Sequence, residues 1–293
     1  SNSFNANPAN TDWVDQITEP GGYNQINASV SGGDKKTTYY MSGLYRKDNF
    51  YLLGADFDKV TARLKIDHEM SRRFHAGFNI SGSYNFRDIN KKDWFKMAHN
   101  ESLPIYPVNS PNDPAVYWYS FDNETNPLML NAYAYDQTRG LHTINTAYVS
   151  YKPTLNIEIR SEWGLSYQIK HNEDYRHPFV FPNGGFKPDY PHFYIPNNGI
   201  GFTSGNGIVV QNRYDRTNWH TNNYIKYSKN ISGDHQLNVA AGFYMQDVQS
   251  SGSTVFVEDL GLPFQHTSGQ SNKAERVAAL LSNYRFASFY ANA

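Results

Sequence analysis

The side chains with chemical potential in this sequence gather in three long stretches that separate more regular ones. The first, 88–139, holds Tyr106, Tyr117, Trp118, Tyr119 and Phe121 among Pro104, Pro107, Pro111, Pro114 and Pro127. Exposed rings of this kind could stack on sugar faces or dock a partner. They could equally pack the stretch onto its neighbours, because a long ordered loop needs some core of its own. The second, 171–215, offers His171, His177 and His192 beside Glu173, Asp174 and Asp189. These are metal-ligand types, but their spacing fixes no coordination geometry. Asp122-Asn123-Glu124 resembles part of a calcium loop and lacks the remaining ligands. Gly199, Gly201, Gly205 and Gly207 have no strand–helix flanks and read as flexible loop. There is no Gly-x-Ser-x-Gly elbow, phosphate loop, His-Glu-x-x-His or dinucleotide fingerprint. The reading is a non-enzyme without catalytic residues, cofactor or metal. Its candidate ligand- or partner-binding set is the ring cluster Tyr106, Tyr117, Trp118, Tyr119 and Phe121.

Elements that could carry such loops must suit an unusual composition. Of 293 residues, 16% are aromatic, with 23 Tyr and 18 Phe, while hydrophobic residues total only 39%. Tyr, with its apolar body and polar tip, suits thin sheets with one apolar face. Net charge is −1, which gives no polyanion signal and no case for nucleic acid. There is no cysteine, hence no disulfide framework. Mean hydropathy is −0.68 and no run of about 18 apolar residues occurs, which excludes a transmembrane helix. No secretory signal opens the chain at Ser1-Asn2-Ser3, so the N-terminus reads as processed or cut.

Periodicity of two is strong. Val60, Ala62, Leu64 and Ile66 alternate with Thr61, Arg63, Lys65 and Asp67; Phe74, Ala76, Phe78, Ile80, Gly82, Tyr84 and Phe86 alternate with His75 through Arg87. Ile157, Ile159, Trp163, Leu165 and Leu237, Val239, Ala241, Phe243 continue the pattern, giving about nine strands and, near Trp94–His99, one helical turn. Several runs reach roughly 12 residues or more, whereas soluble strands average about five or six. A 13-residue strand tilted near 40° rises about 33 Å, enough to cross the roughly 25 Å apolar band of an outer-membrane barrel. The connections alternate. Short ones lie at Gly32–Lys36, Met70–Arg73, Lys152–Thr154 and Ser232–Asp234, and longer ones at 47–57, 88–139, 171–215 and 249–278. Short periplasmic turns and long extracellular loops are the habit of up-and-down barrels in that membrane. The expected fold is all-β, an antiparallel up-and-down transmembrane β-barrel segment. Residues 1–22 form an irregular lead-in and 23–293 the wall, with polar faces toward the lumen and apolar faces toward outer-membrane lipid. Tyr45, Tyr84, Phe86, Tyr151 and Tyr227 would form the interfacial girdles. A passive porin or adhesin barrel, or a soluble carbohydrate-binding sandwich, remains open on periodicity alone.

Parity adds an expectation. With the short turns in the periplasm, the first strand (23–31) and the last (281–293) both run downward. A sheet open at two edges leaves unpaired backbone groups that cost several kcal/mol each in lipid. Strands on both sides are therefore expected from a longer chain.

Local strings also resemble a known family. Asn10-Thr11-Asp12-Trp13-Val14-Asp15-Gln16-Ile17, then Asn27 to Gly43 (NASVSGGDKKTTYYMSG), and Phe57-Asp58-Lys59-Val60-Thr61-Ala62-Arg63-Leu64 are similar to the opening barrel hairpins of SusC/RagA-type TonB-dependent transporters of Bacteroidetes. Leu280–Phe286 resembles a later strand, with Phe and Ala where that family often has Leu and Tyr. The first 90 or so residues carry most of the likeness. The resemblance implies a plugged barrel of about 22 strands. It also implies a SusD-like surface lipoprotein as partner, TonB as energy source through N-terminal parts outside this sequence, and import of glycans or peptides. The plug and the C-terminal strands would likewise lie outside it.

Overall fold

The computed structural model describes residues 9–88, 92–100, 102–110, 113–117, 126–176, 207–232, 235–260 and 273–293. Nine strands form one antiparallel sheet: β1 (Gly22–Gly33), β2 (Thr37–Asn49), β3 (Asp56–Glu69), β4 (Phe74–Asp88), β7 (Ala134–Thr154), β8 (Ile157–Arg176), β9 (Gly207–Ser232), β10 (His235–Leu260) and β11 (Lys273–Asn292). Each pairs with its sequence neighbour, so β1 and β11 are the two open edges. Between β4 and β7 lie α2 (Lys92–Asn100), a ribbon of β5 (Asn109–Ser110) and β6 (Asp113–Tyr117), and α3 (Pro127–Tyr133). A first short helix, α1 (Trp13–Ile17), precedes β1.

Sequential antiparallel pairing sends connections alternately to the two ends of the sheet. The strand ends that flank 34–36, 70–73, 155–156 and 233–234 therefore share one end of the sheet, and those that flank the longer connections share the other. There three short turns are each tied to a neighbouring strand: Glu69 N–H of β3 donates to Lys36 O at 2.6 Å, Lys152 N–H of β7 to Arg73 O at 2.8 Å and Ser228 N–H of β9 to Asn156 O at 2.8 Å. The turn expected at Lys152–Thr154 falls instead at Leu155–Asn156. A register irregularity between Tyr151 and Thr154 carries β7 past Pro153.

Asp34 organises the first short turn. Its Oδ1 accepts from the backbone N–H of Lys36 at 2.8 Å and of Thr37 at 2.7 Å, and those amides hold its carboxyl below the usual carboxylate range. A group whose native pKa is depressed stabilises the fold above its unfolded value, and that contribution is lost as pH falls through the native one. Asp34→Asn keeps an acceptor but does not titrate. The difference in denaturant midpoint between the unaltered protein and this variant should therefore shrink on acidification below about pH 4.

Register separates the faces. Opposed residues share a face, so Val30, Met41, Leu64 and Ile80 form one row, and Ile26, Tyr45, Val60 and Tyr84 another. No second sheet covers this face among the described residues. Phe78 is 37% exposed, Ile80 48%, Ile159 42% and Leu165 46%. A β-sandwich would bury these side chains against a facing sheet about 10 Å away. Among the described residues, the buried apolar side chains gather toward the long-connection end, in Trp13, Ile17 and Ala98 and in Tyr175, Val209 and Val257. The fold is an up-and-down transmembrane barrel segment with an open sheet.

The strands also run past the loop bounds read from the sequence. β7 begins at 134 inside the expected 88–139, β8 and β9 take residues from both ends of 171–215, and β10 and β11 narrow 249–278 to 261–272. At 26 residues, β9 and β10 extend about 86 Å along the strand, well beyond the roughly 25 Å apolar band. Above that band both faces meet water. Backbone pairing persists there without hydrophobic alternation.

Candidate functional site

At the long-connection end the lead-in grips two connections. Asp12 caps α1, its Oδ1 accepting from the N–H groups of Val14 and Asp15, each at 3.1 Å. That leaves its neighbours free to reach across the chain. Thr11 Oγ1–H donates to Tyr106 O at 2.6 Å, Thr11 N–H to Pro104 O at 2.8 Å, and Trp13 Nε1–H to Leu103 O at 2.9 Å. Leu53 N–H donates to Ile17 O at 2.9 Å. Trp13, Ile17 and Ala98 form a buried cluster, against which Leu52, Phe95, Val108 and Tyr106 pack.

Tyr106, a sequence candidate for ligand contact, is thus half-buried as part of this cluster. Tyr117 is half-buried at the end of β6, opposite Asn109. Trp118, Tyr119 and Phe121 lie outside the described residues, as do Asp122, Asn123, Glu124, His177, Asp189 and His192.

The polar face of the sheet is organised by cross-strand contacts in two tiers. Toward the short turns, Lys65 Nζ lies 2.9 Å from Asp67 Oδ2, and Tyr148 O–H donates to Asp67 Oδ1 at 2.7 Å. The Arg160 guanidinium sits 3.8 Å over the Tyr148 ring. Arg160 Nε is 2.6 Å from Glu162 Oε1 but off the line a hydrogen bond needs, so charge holds that pair. Glycine makes room for the ring: a Cβ on Gly77 would meet Tyr148 Cε1 at 2.6 Å. Tyr290 lies over Gly242 in the same way.

Toward the long connections, a ladder of small polar side chains crosses four strands. Asn172 Nδ2 donates to the Asp136 carboxylate and, at 3.2 Å, to Thr138 Oγ1. Asn212 Nδ2 donates to Asn172 Oδ1 at 3.0 Å, and Thr254 Oγ1–H donates to Asn212 Oδ1 at 2.7 Å. Over this ladder runs a groove of about 710 Å³ reaching from Arg87 on β4 to Ala278 on β11. Its lining combines hydroxyls, amides, three cations and the Asp136 carboxylate with an apolar margin at Ala278, Ala279 and Leu280, which can bind a polar ligand. Sequence reasoning missed the ladder because Asn172 and Asn212 fell inside a stretch read as loop. Their shared parity with Lys170 and Tyr214 was the available signal.

This sheet has known relatives. The chain is 23% identical over 263 residues to TonB-dependent receptor P3 of Formosa agariphila, covering 86% of this chain and 24% of that protein. It is 22% identical over 273 residues to TonB-dependent receptor SusC of Bacteroides thetaiotaomicron, covering 88% and 24%. In fold it matches a solved structure of the RagAB peptide transporter with a TM-score of 0.74 at 15% identity, over 97% of this chain and 31% of that one. In sequence and in fold the chain resembles a barrel segment of these TonB-dependent receptors. No protein-family model matches it, and it spans about a quarter of the length of the curated relatives. Within this segment, the Asn10–Ile17 string forms the clamp on residues 103–106, and the Asn27–Gly43 string lies in the β1–β2 hairpin.

Proposed function

We propose that the chain is part of the wall and surface loops of an outer-membrane, TonB-dependent importer of glycans or peptides, working with a SusD-like surface lipoprotein. The observation that carries this is a joint one. Sequence likeness to proteins named TonB-dependent receptors and fold likeness to the RagAB peptide transporter both extend over most of the chain. In this reading the short turns face the periplasm, the long connections face outward, and the polar face lines the lumen. Residues 1–22 lead into the wall formed by 23–293. Further strands of a longer chain would pair with the open edges of β1 and β11, which lipid cannot satisfy. The protein's role is non-enzymatic: it binds and passes cargo, and energy arrives through TonB.

The test is uptake. Cells lacking the gene are expected to lose uptake of one glycan or peptide class, and cells lacking TonB are expected to lose it equally. Uptake that persists without TonB would identify a passive porin instead.

A further inference from the structure

We infer that the groove above the Asn172–Asn212 ladder binds the anionic groups of an acidic oligosaccharide. The inference rests on the importer reading and names its cargo class. Arg87 and Lys170 line the groove, and both side chains are exposed. Among the described residues neither has an ion-pair partner. Arg87 lies opposite Thr138 and Lys170 opposite Gly140, so the two cations stand on β4 and β8, either side of β7. Two inter-strand spacings across the sheet and a two-residue offset along it put their backbones about 12 Å apart. Gly140 contributes no side chain between them.

One carboxylate, Asp136, also lines the groove. The Asp136 carboxylate accepts from Asn172. Arg213, at the groove's margin, is held by Asp215 at 2.6 Å. With Arg213 paired to Asp215, Arg87 and Lys170 outnumber the Asp136 carboxylate, so the groove carries a net positive charge. An exposed pair of cations of this kind is best met by carboxylates or sulfates, through charge-assisted hydrogen bonds.

The remaining lining selects a sugar chain over a peptide. The ladder presents Thr138, Asn172, Asn212 and Thr254 as a rigid row of hydroxyls and amides, suited to hydroxyl groups, and Tyr214 adds a ring. The apolar members are Gly252, Ala278, Ala279 and Leu280, which form no deep recess for the large side chains of a peptide.

The experiment uses the full-length protein in detergent, with calorimetric binding of a short oligogalacturonate, a neutral oligosaccharide of equal length and an oligoglutamate. The oligogalacturonate is expected to bind tightest, and more weakly as salt rises. Arg87→Gln with Lys170→Gln should weaken it about ten- to a hundredfold, while Arg87→Lys with Lys170→Arg should retain most of the affinity. Unchanged binding in the charge-removed variant, salt-insensitive binding, equal binding of the neutral sugar, or tighter binding of oligoglutamate would each overturn the inference. If the charge-removed variant fails to fold, the salt series and ligand comparison on the unaltered protein decide the matter. Binding is read without transport, so uptake that proves independent of TonB would sink the importer reading while leaving this result standing.

Discussion

Ile80→Arg is expected to destabilise the barrel by about 2–4 kcal/mol in a lipid bilayer, whereas Ser83→Arg should change stability by less than about 1 kcal/mol. Both residues sit on β4, three positions apart and therefore on opposite faces. Ile80 lies six residues beyond the start of β4, which places it about 15 Å up a strand tilted near 40°, close to the middle of the apolar band. It is 48% exposed, with Leu64 opposite it on β3, so an arginine there would meet hydrocarbon with no acid in the row to pair with. Ser83 lies between Thr61 and His142 on the polar face, where water or polar neighbours receive the added charge. Denaturant titrations in lipid vesicles give both values. Equal costs at the two positions would remove the distinction between the faces.

Trp13→Ala is expected to cost the long-connection end about 3–5 kcal/mol, the usual loss for a buried tryptophan cut to alanine. Trp13 is 4% exposed, and it supplies both the packing centre for Ile17 and Ala98 and the Nε1–H bond to Leu103 O. Few other buried side chains at this end of the lead-in could replace it. The effect should be local, because the sheet is held by its own ladders and opens separately. Amides of Thr11, Leu53 and Tyr106 should exchange about a hundredfold faster or more, while those in the middle of β3 and β4 keep their rates. Uniform acceleration across the strands would show that the clamp and the sheet are one cooperative unit.

How much of this was legible in the sequence follows from where water lies. β3 and β4 cross the apolar band, so Leu64 and Ile80 contrast with Lys65 and Asn79 and the strands read directly as period two. Higher on β9, Asn212, Arg213, Tyr214, Asp215 and Arg216 carry no such contrast. Both faces are wet there, yet pairing continues, with Tyr214 opposite Lys170 and Arg216 opposite Gln168. The groove sits in that silent region. α1 escaped notice for another reason: five residues are too few for a helical period. Its stability comes from Leu103 and Tyr106, about 90 residues away. The same contact packs Tyr106, whose ring type suggested a ligand, against Trp13, Ile17 and Ala98.

The central claim is that alternate residues of these strands face lipid and water. The chain contains no cysteine, so single substitutions give one thiol each within it. A scan through Val60–Asp67 and Phe78–Phe86, in vesicles carrying brominated lipid, reads the face at every position. Thiols at 60, 62, 64, 66, 78, 80 and 82 are expected to carry lipid-quenched fluorophores and to resist a water-soluble maleimide. Those at 61, 63, 65, 79, 81 and 83 should label from water and escape quenching. Loss of that alternation, or protection of the even-numbered set from water and lipid alike, would mean that a second layer of protein covers this face, and the barrel account would be wrong.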